Sequence, residues 1–197
     1  MGSLGVTDTK ARAYVGWPHL FDATNQHQYD VLLERGLKPE HELLDVGAGC
    51  LGVGRALIDY LEPWHYWAVE PQSWLIRSSN VSRNAYHLYQ FDDWKLSCIG
   101  HEFDYVLVHS IFTHADRATI CLILSEAHQV LAEDGLLCAS FHDCGGDSVH
   151  EGWSYPAGVS YTGKFIMERA NEAEFISGVV VDKRHPAGHS WLFGRKR

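Results

Sequence analysis

Long hydrophobic runs are missing from this sequence of 197 residues. No apolar stretch approaches the ~20 residues that span a bilayer, and the polar start from Met1 to Lys10 does not resemble a secretory signal. We therefore expect no membrane partner and a cytoplasmic location. No linker rich in proline, glycine and serine divides the chain. The sequence predicts one domain over 1–197, with an N-terminal cap segment and helix over 1–40 and the core over 41–197.

Cysteine is also sparse, and its spacing excludes two common uses. The five cysteines are an odd number and form no CxxC pair, which favours reduced thiols over a disulfide framework. No cysteine or histidine spacing typical of zinc is present either. We therefore expect neither disulfides nor a metal site.

Basic residues are outnumbered, with 16 Lys and Arg against 25 Asp and Glu, and the formal net charge is −9. Binding of phosphate backbones relies on clustered basic side chains, and the short basic end Arg195–Arg197 offers little of this kind. We expect no nucleic-acid partner and favour a small molecule as the substrate. The sequence leaves the oligomeric state open.

The most informative motif is Gly47-x-Gly49-x-x-Gly52, which directly follows the apolar run Leu43–Val46. Glycines at this spacing after a buried strand allow a sharp turn, at which a ligand can lie against exposed main-chain N–H groups before the next helix. The motif predicts a nucleotide-like cofactor, although the pattern alone is also compatible with a dinucleotide.

Two acidic residues help to choose between these cofactors. Asp45 precedes Gly47 by two positions, where a carboxylate would repel the pyrophosphate of NAD. S-adenosylmethionine has no phosphate, and its sulfonium and α-amino groups are favoured by a nearby carboxylate. Glu70, which ends the next apolar run, fits either cofactor because a carboxylate there can accept both ribose hydroxyls. We favour S-adenosylmethionine and keep NAD as the alternative.

These residues resemble the class I S-adenosylmethionine-dependent methyltransferases, and the resemblance extends roughly from Tyr29 to Lys196. Asp45-x-Gly47-x-Gly49 is similar to the first motif of that family, Ala68-Val69-Glu70-Pro71 to its ribose-binding strand end, and Phe91-Asp92-Asp93 to its adenine-contacting loop. Leu51 is a departure, because the family often has glycine there. The expected cofactor-binding residues are Asp45, Gly47, Ala48, Gly49, Glu70, Pro71, Asp92, Asp93 and His109.

Helical and strand patterns alternate along the chain, which predicts an α/β fold. The apolar residues Tyr29, Leu32, Leu33 and Leu37 predict a first helix, and a last helix is expected over Tyr161–Ala170 with Ser160 or Thr162 as its cap. Seven predicted strands match the doubly wound, Rossmann-like sheet that the resemblance implies, with six parallel strands, the last antiparallel, and helices on both faces. They are His41–Val46, Tyr66–Val69, Tyr86–Gln90, Phe103–Val108, Leu136–Phe141, Phe175–Val181 and Ser190–Phe193. Because such sheets bind ligands at the carboxyl ends of their strands, we expect the loops after the first four strands to form the site.

The predicted chemistry is transfer of an activated methyl group to a small-molecule acceptor by in-line displacement, which depends mainly on positioning. A hydroxyl or protonated amine would also need a general base, for which the candidates are His109, His114 and His142. Two long aromatic segments, Tyr14–Phe21 and Cys144–Tyr161, are expected to cover the acceptor. The alternatives are an NAD-dependent oxidoreductase and a non-catalytic nucleotide-binding partner protein.

Overall fold

The computed structural model describes residues 8–197. The first seven residues of the predicted cap segment lie outside the described residues. The strands are β1 Leu43–Val46, β2 Tyr66–Val69, β3 His87–Tyr89, β4 Phe103–Val108, β5 Leu131–Phe141, β6 Phe175–Val180 and β7 Ser190–Lys196. The helices are α1 Thr9–Tyr14, α2 Phe21–Glu34, α3 Gly54–Tyr60, α4 Ser73–Ser78, α5 Arg117–Val130 and α6 Gly163–Glu172, and a short 3₁₀ helix covers Leu96–Ile99.

The strands form one seven-stranded mixed sheet in the order β3-β2-β1-β4-β5-β7-β6. Strand β7 pairs antiparallel with β5 on one side and with β6 on the other, whereas β1 with β2, β2 with β3, and β4 with β5 are parallel. The predicted fold class is therefore confirmed, including the antiparallel last strand. The strand order reverses direction beside β1, as in other doubly wound sheets.

The described chain divides into two compact units. The first extends to Asp92 and includes Arg184–Ala187, and the second comprises Asp93–Lys183 and Gly188–Arg197. In the first unit all four residues of β1 are buried, as expected of a strand inside a parallel sheet. In the second unit β5 is buried over its last seven residues. The assignment of the whole chain to one domain stays a prediction.

Helix boundaries in the second unit follow local capping chemistry. The Asp116 side chain accepts a hydrogen bond from the Thr119 N–H at 2.7 Å and begins α5. Thr162 does the same for α6 by accepting from the Phe165 N–H at 3.2 Å. The sequence suggested Ser160 or Thr162 as this cap, and the structure identifies Thr162.

Several predicted boundaries were wrong, although β2 and β4 have the predicted limits. The strand expected from His41 begins at Leu43. Strand β5 begins at Leu131 rather than Leu136, because Leu131 pairs with Phe103 before an irregularity that contains Asp134 and Gly135 shifts the register. The other strand boundaries differ by one to three residues, whereas helix α2 begins at Phe21, eight residues before the predicted stripe that starts at Tyr29. Helix α1 had no sequence prediction.

Within residues 8–197, no helix is long and apolar enough to cross a membrane. All five cysteines have free thiols in the structure. Cys50 and Cys138 are buried, Cys121 is half-buried, and Cys98 and Cys144 are exposed.

Candidate functional site

The glycine loop after β1 turns sharply, as its sequence predicts. Its backbone N–H groups, however, donate to other parts of the protein. Gly47 and Gly49 have φ angles of 77° and 56°, a region that favours glycine. The N–H groups of Gly47 and Ala48 donate to the Val69 carbonyl at 2.8 and 3.1 Å, and the Gly49 N–H donates to Glu70 Oε2 at 2.8 Å. The expectation that this turn exposes its N–H groups to a ligand is therefore wrong for these three donors, because the end of β2 takes them.

Glu70 is held from both sides at the end of β2. Its Oε2 accepts from Gly49 and its Oε1 accepts from the Gln72 N–H at 2.8 Å, and only 5% of the residue is exposed. Burial raises the pKa of Glu70 above its usual value, while the two backbone N–H donors oppose that shift. Each carboxylate oxygen has a second lone pair, so a fixed Glu70 can still accept two hydroxyl donors.

Asp45 lies inside β1 with 3% of its surface exposed. Its Oδ2 accepts a short hydrogen bond of 2.6 Å from the Tyr66 hydroxyl on the neighbouring strand. Burial raises the pKa of Asp45 to about 7; the Tyr66 hydrogen bond opposes this increase, and the nearby Glu70 adds to it. Gly54 makes room for this pair, because a Cβ atom there would collide with the Tyr66 hydroxyl. Asp45 is therefore poised between its neutral and ionised forms near neutral pH.

Gly52 and Leu51 show two further requirements of the loop. A Cβ atom at Gly52 would lie 2.5 Å from both Oδ1 and Nδ2 of the buried Asn25 side chain on α2, so a larger residue at this position would have to displace Asn25. Leu51 adopts φ = 55° although it is fully buried. Leu51 thus has the backbone conformation of the glycine that the family often has at this position, while its side chain packs in the core.

The N-terminal cap segment packs on the glycine loop. A Cβ atom at Gly49 would lie 2.9 Å from Cγ1 of Val15. Next to this contact, α1 and the start of α2 share an apolar cluster with the loop and with α4. Its buried members are Ala11, Phe21, Cys50 and Leu75, and Val15 and Trp74 pack against them. Part of the segment expected to cover the acceptor therefore covers the glycine loop.

The remaining predicted cofactor residues differ in exposure. Ala48 is buried beside the turn, at 9% exposure, whereas Pro71 and Asp92 are exposed in the first unit. Asp93, in the second unit, is exposed; its Oδ1 accepts from the Lys95 N–H at 3.3 Å and its Oδ2 lies 3.7 Å from Lys95 Nζ. Asp93 thus has the contacts of an ordinary surface turn, and its predicted role at adenine stays a prediction.

In the second unit, the chain turns sharply directly after β4. Ser110 has φ = 62°, and its N–H donates to Ser140 Oγ at 2.8 Å. Ser140 Oγ lies 3.2 Å from Nδ1 of His189, which is 4% exposed. The half-buried ring of His109 stacks at 5.3 Å from the His189 ring and lies 5.5 Å from that of Trp191. His109 is thus held among rings from the start of β7.

His142 follows β5 and joins the same group of histidines. Its ring meets the His189 ring edge to face at 4.4 Å. Burial, assisted by the nearby His114, lowers the pKa of His142, which favours the neutral imidazole that can accept a proton. His189 was not among the predicted site residues, since the sequence pattern His185-x-x-x-His189, with proline and glycine inside it, did not indicate a zinc site. Its contacts with Ser140 and His142 bring together positions more than forty residues apart.

His114 contacts the backbone of the long loop after β5. Its ring Nδ1 lies 3.0 Å from the Ala157 carbonyl, and its backbone carbonyl accepts from the Ser154 N–H at 2.9 Å. Burial lowers the pKa of His114, although the contact with Ala157 opposes this. These bonds give His114 a positioning role, and its role as a base stays a prediction.

Comparisons with known proteins agree with this fold. No family model and no curated protein matches the sequence. Among solved structures, the glycopeptide N-methyltransferase MtfA complexed with (S)-adenosyl-L-homocysteine is similar at a TM-score of 0.69 and 11% identity, over 89% of this chain and 90% of that one. The sugar N-methyltransferase of a Streptoalloteichus species has a TM-score of 0.67 and 16% identity, over 90% and 88%.

A third similar structure is the magnesium protoporphyrin IX methyltransferase of Synechocystis with bound SAH. It has a TM-score of 0.68 and 13% identity, over 94% of this chain and 92% of that one. At such identities the likeness establishes the fold alone, and the fold of this chain is that of the class I S-adenosylmethionine-dependent methyltransferases.

Proposed function

We propose that this chain is an S-adenosylmethionine-dependent methyltransferase that transfers a methyl group to a small-molecule acceptor by in-line displacement. The observation that carries the proposal is the hydrogen bond from the Gly49 N–H to the buried carboxylate of Glu70. It joins the glycine loop to an acidic residue in a way that suits a cofactor with a ribose and a positive charge. The bound forms of two of the similar structures named above support the same cofactor.

The hydrogen bonds of the glycine turn argue against a dinucleotide cofactor. A pyrophosphate needs free N–H donors at the glycine turn, but those of Gly47, Ala48 and Gly49 are already taken by Val69 and Glu70. Two carboxyl groups, Asp45 and Glu70, lie within this small region of buried structure. An anion brought to the loop would meet repulsion and find few donors, whereas a cation would be attracted.

The residues of the first unit would hold the cofactor in two ways. Glu70, fixed by the N–H groups of Gly49 and Gln72, would accept the ribose hydroxyls. Asp45 would lend negative charge to the loop once its proton leaves, and Ala48 and Pro71 would flank the cofactor. When bound, S-adenosylmethionine supplies a methyl group that is already activated for displacement, so the protein mainly orients the acceptor and excludes water.

In the second unit, His142 is our choice of general base for an acceptor that carries a proton. Its lowered pKa keeps the imidazole neutral near pH 7, so that it can take the proton from a hydroxyl or ammonium group. His109, held among rings at the end of β4, would line the pocket. A small cytoplasmic metabolite fits the net charge of −9, which disfavours a nucleic acid.

Calorimetric titration with S-adenosyl-L-homocysteine tests the proposal. The wild-type chain should bind it, and Glu70→Ala should bind it with a free energy weaker by ~1–3 kcal/mol, the typical cost of removing a charged hydrogen-bond partner. Glu62→Ala is the matched control, since that glutamate side chain is 57% exposed. Absence of binding to the wild-type chain, together with stabilisation by NADH in thermal unfolding, would replace this proposal with an oxidoreductase.

A further inference from the structure

Four aromatic side chains of the second unit, the exposed Trp153 and three half-buried rings, form one contiguous group. We call it the aromatic shelf, and it consists of Trp94, His114, Trp153 and Tyr155. The rings of Trp94 and Trp153 lie 5.8 Å apart with an angle of 32° between their planes. The His114 ring lies 5.6 Å from Trp153 and 5.3 Å from Tyr155. His114 follows β4, and both Trp153 and Tyr155 follow β5, so the shelf forms beyond the carboxyl ends of two parallel strands.

Trp153 is 47% exposed, yet the backbone around it is tightly fixed. The N–H of Gly152 donates to Asp116 Oδ2 at 2.6 Å, and the N–H of Ser154 donates to the His114 carbonyl at 2.9 Å. Both neighbours of Trp153 are therefore tied to the segment between β4 and α5. A large apolar ring is thus presented to solvent on a rigid support, and such preorganisation lowers the entropic cost of binding a ligand.

Trp94, the other large ring of the shelf, stands on unusual backbone. Its φ angle is 60°, a conformation that bulky residues rarely adopt. Its carbonyl accepts a hydrogen bond from the Leu96 N–H at 2.9 Å, at the start of the 3₁₀ helix. Strained backbone of this kind is concentrated at binding sites.

The polar groups beneath the shelf already have protein partners. Asp116 Oδ1 accepts from the Thr119 N–H and its Oδ2 from the Gly152 N–H. His114 Nδ1 lies 3.0 Å from the Ala157 carbonyl, and the Ser154 hydroxyl lies 3.0 Å from the carbonyls of both His114 and Ala157. Burial lowers the pKa of His114, so its ring is uncharged near neutral pH. The largest surfaces that the shelf offers are ring faces, which suit a planar aromatic ring better than a hydroxyl-rich sugar.

We propose that the aromatic shelf binds a planar aromatic ring of the methyl acceptor, which stacks on Trp153 and contacts Trp94. This inference rests on the proposed function, because it names the class of acceptor for that reaction. In this proposal the loop after β5 determines which acceptors bind. His114 and Asp116 hold that loop in place through their hydrogen bonds to its backbone.

The test uses 1-naphthol as the planar probe and 2-decalol as a saturated alcohol of similar size, both titrated by ligand-observed NMR. We expect 1-naphthol to bind more tightly than 2-decalol or methyl glucoside. Trp153→Ala should weaken 1-naphthol roughly three- to tenfold, and Trp153→Phe should restore much of the affinity. Trp64→Ala is the matched control, since Trp64 is 46% exposed, has a φ angle of 73° and lies in the first unit just before β2.

The same variants are titrated with S-adenosyl-L-homocysteine and melted to check folding. Unchanged cofactor binding by Trp153→Ala, with loss of 1-naphthol, supports the shelf. Equal affinity of 1-naphthol for wild type and a folded Trp153→Ala would overturn it, as would preference for 2-decalol or the glucoside. Binding of 1-naphthol through Trp153 without any cofactor binding would support the aromatic subsite and refute the proposed methyltransferase, so the two failures are distinguishable.

Discussion

Replacing Asp45 by asparagine should remove a large pH dependence of stability. The Asp45 carboxyl is 3% exposed, and burial raises its pKa from 3.8 to about 7. At ~1.4 kcal/mol for each pKa unit, this shift corresponds to roughly 4 kcal/mol between fully protonated and fully ionised conditions. Asparagine has nearly the same size and cannot ionise, so the variant isolates the charge.

The sign of the effect follows from where the proton is held. Between about pH 4 and pH 7 the folded state keeps the Asp45 proton while the unfolded state has lost it. Stabilisation by Asp45 is therefore complete below about pH 4, decreases as the pH rises, and is lost above about pH 7. Between pH 5 and pH 8 the free energy of unfolding of the wild-type chain should fall by roughly 2–3 kcal/mol through this residue alone.

Urea denaturation at intervals from pH 5 to pH 8 measures this fall. The curve for Asp45→Asn should lack it, so the difference between the two curves should change by that amount. Tyr66→Phe should make the fall steeper, because it removes the 2.6 Å hydrogen bond that favours the ionised carboxyl. Parallel curves for wild type and Asp45→Asn would refute the reasoning, since they would mean that Asp45 has the same pKa in the folded and unfolded chains.

Three further predictions concern the loops around the site. Gly52→Ala should lower the free energy of unfolding by ~1–3 kcal/mol, because its Cβ would overlap Asn25. This loss should be smaller when Asn25 is also replaced by alanine. Equal losses with and without Asn25→Ala would show that the overlap with Asn25 is not the cause. In urea, Leu51→Gly should be no less stable than Leu51→Ala, because φ = 55° strains alanine but not glycine. If Leu51→Ala were instead more stable by about 1 kcal/mol, the usual preference for alanine over glycine inside a helix, the reasoning would be contradicted. Asp116→Ala should speed proteolysis within 144–161, because it removes the acceptor of the Gly152 N–H. Asp147→Ala is the comparison, since the Asp147 carboxylate accepts a hydrogen bond from the Thr162 N–H. Equally fast proteolysis of both variants would mean that the loss of either hydrogen bond loosens the loop.

The sequence was most informative where local chemistry determines structure. The glycine turn after β1 and the limits of β2 and β4 were predictable, because turn geometry and buried apolar runs are local properties. The resemblance added the seven-stranded mixed sheet with an antiparallel last strand, which the structure confirms. Helix α1 could not be predicted in this way, since it has six residues and buries only Ala11.

Helix α2 shows why an apolar pattern can mislead. Its predicted stripe began at Tyr29, but the helix begins at Phe21 and buries Asn25 and Gln28 on its inner face. Polar residues at core positions interrupt the periodicity, and only the packing reveals why they are there. Asn25 lies against Gly52, where a Cβ atom would come within 2.5 Å of its side-chain amide atoms.

By itself, the sequence determined the class of fold, the glycine turn and the acidic residues Asp45 and Glu70 beside it, because spacing along the chain controls these features. Tertiary structure alone decided where the hydrogen-bond donors of that turn point, the Tyr66 partner that Asp45 acquires, and the contact of His189 with His142. Each depends on residues at least twenty positions apart that meet only when neighbouring strands pair. Such meetings set burial and hydrogen bonding, and therefore the pKa values on which the chemistry of the site depends.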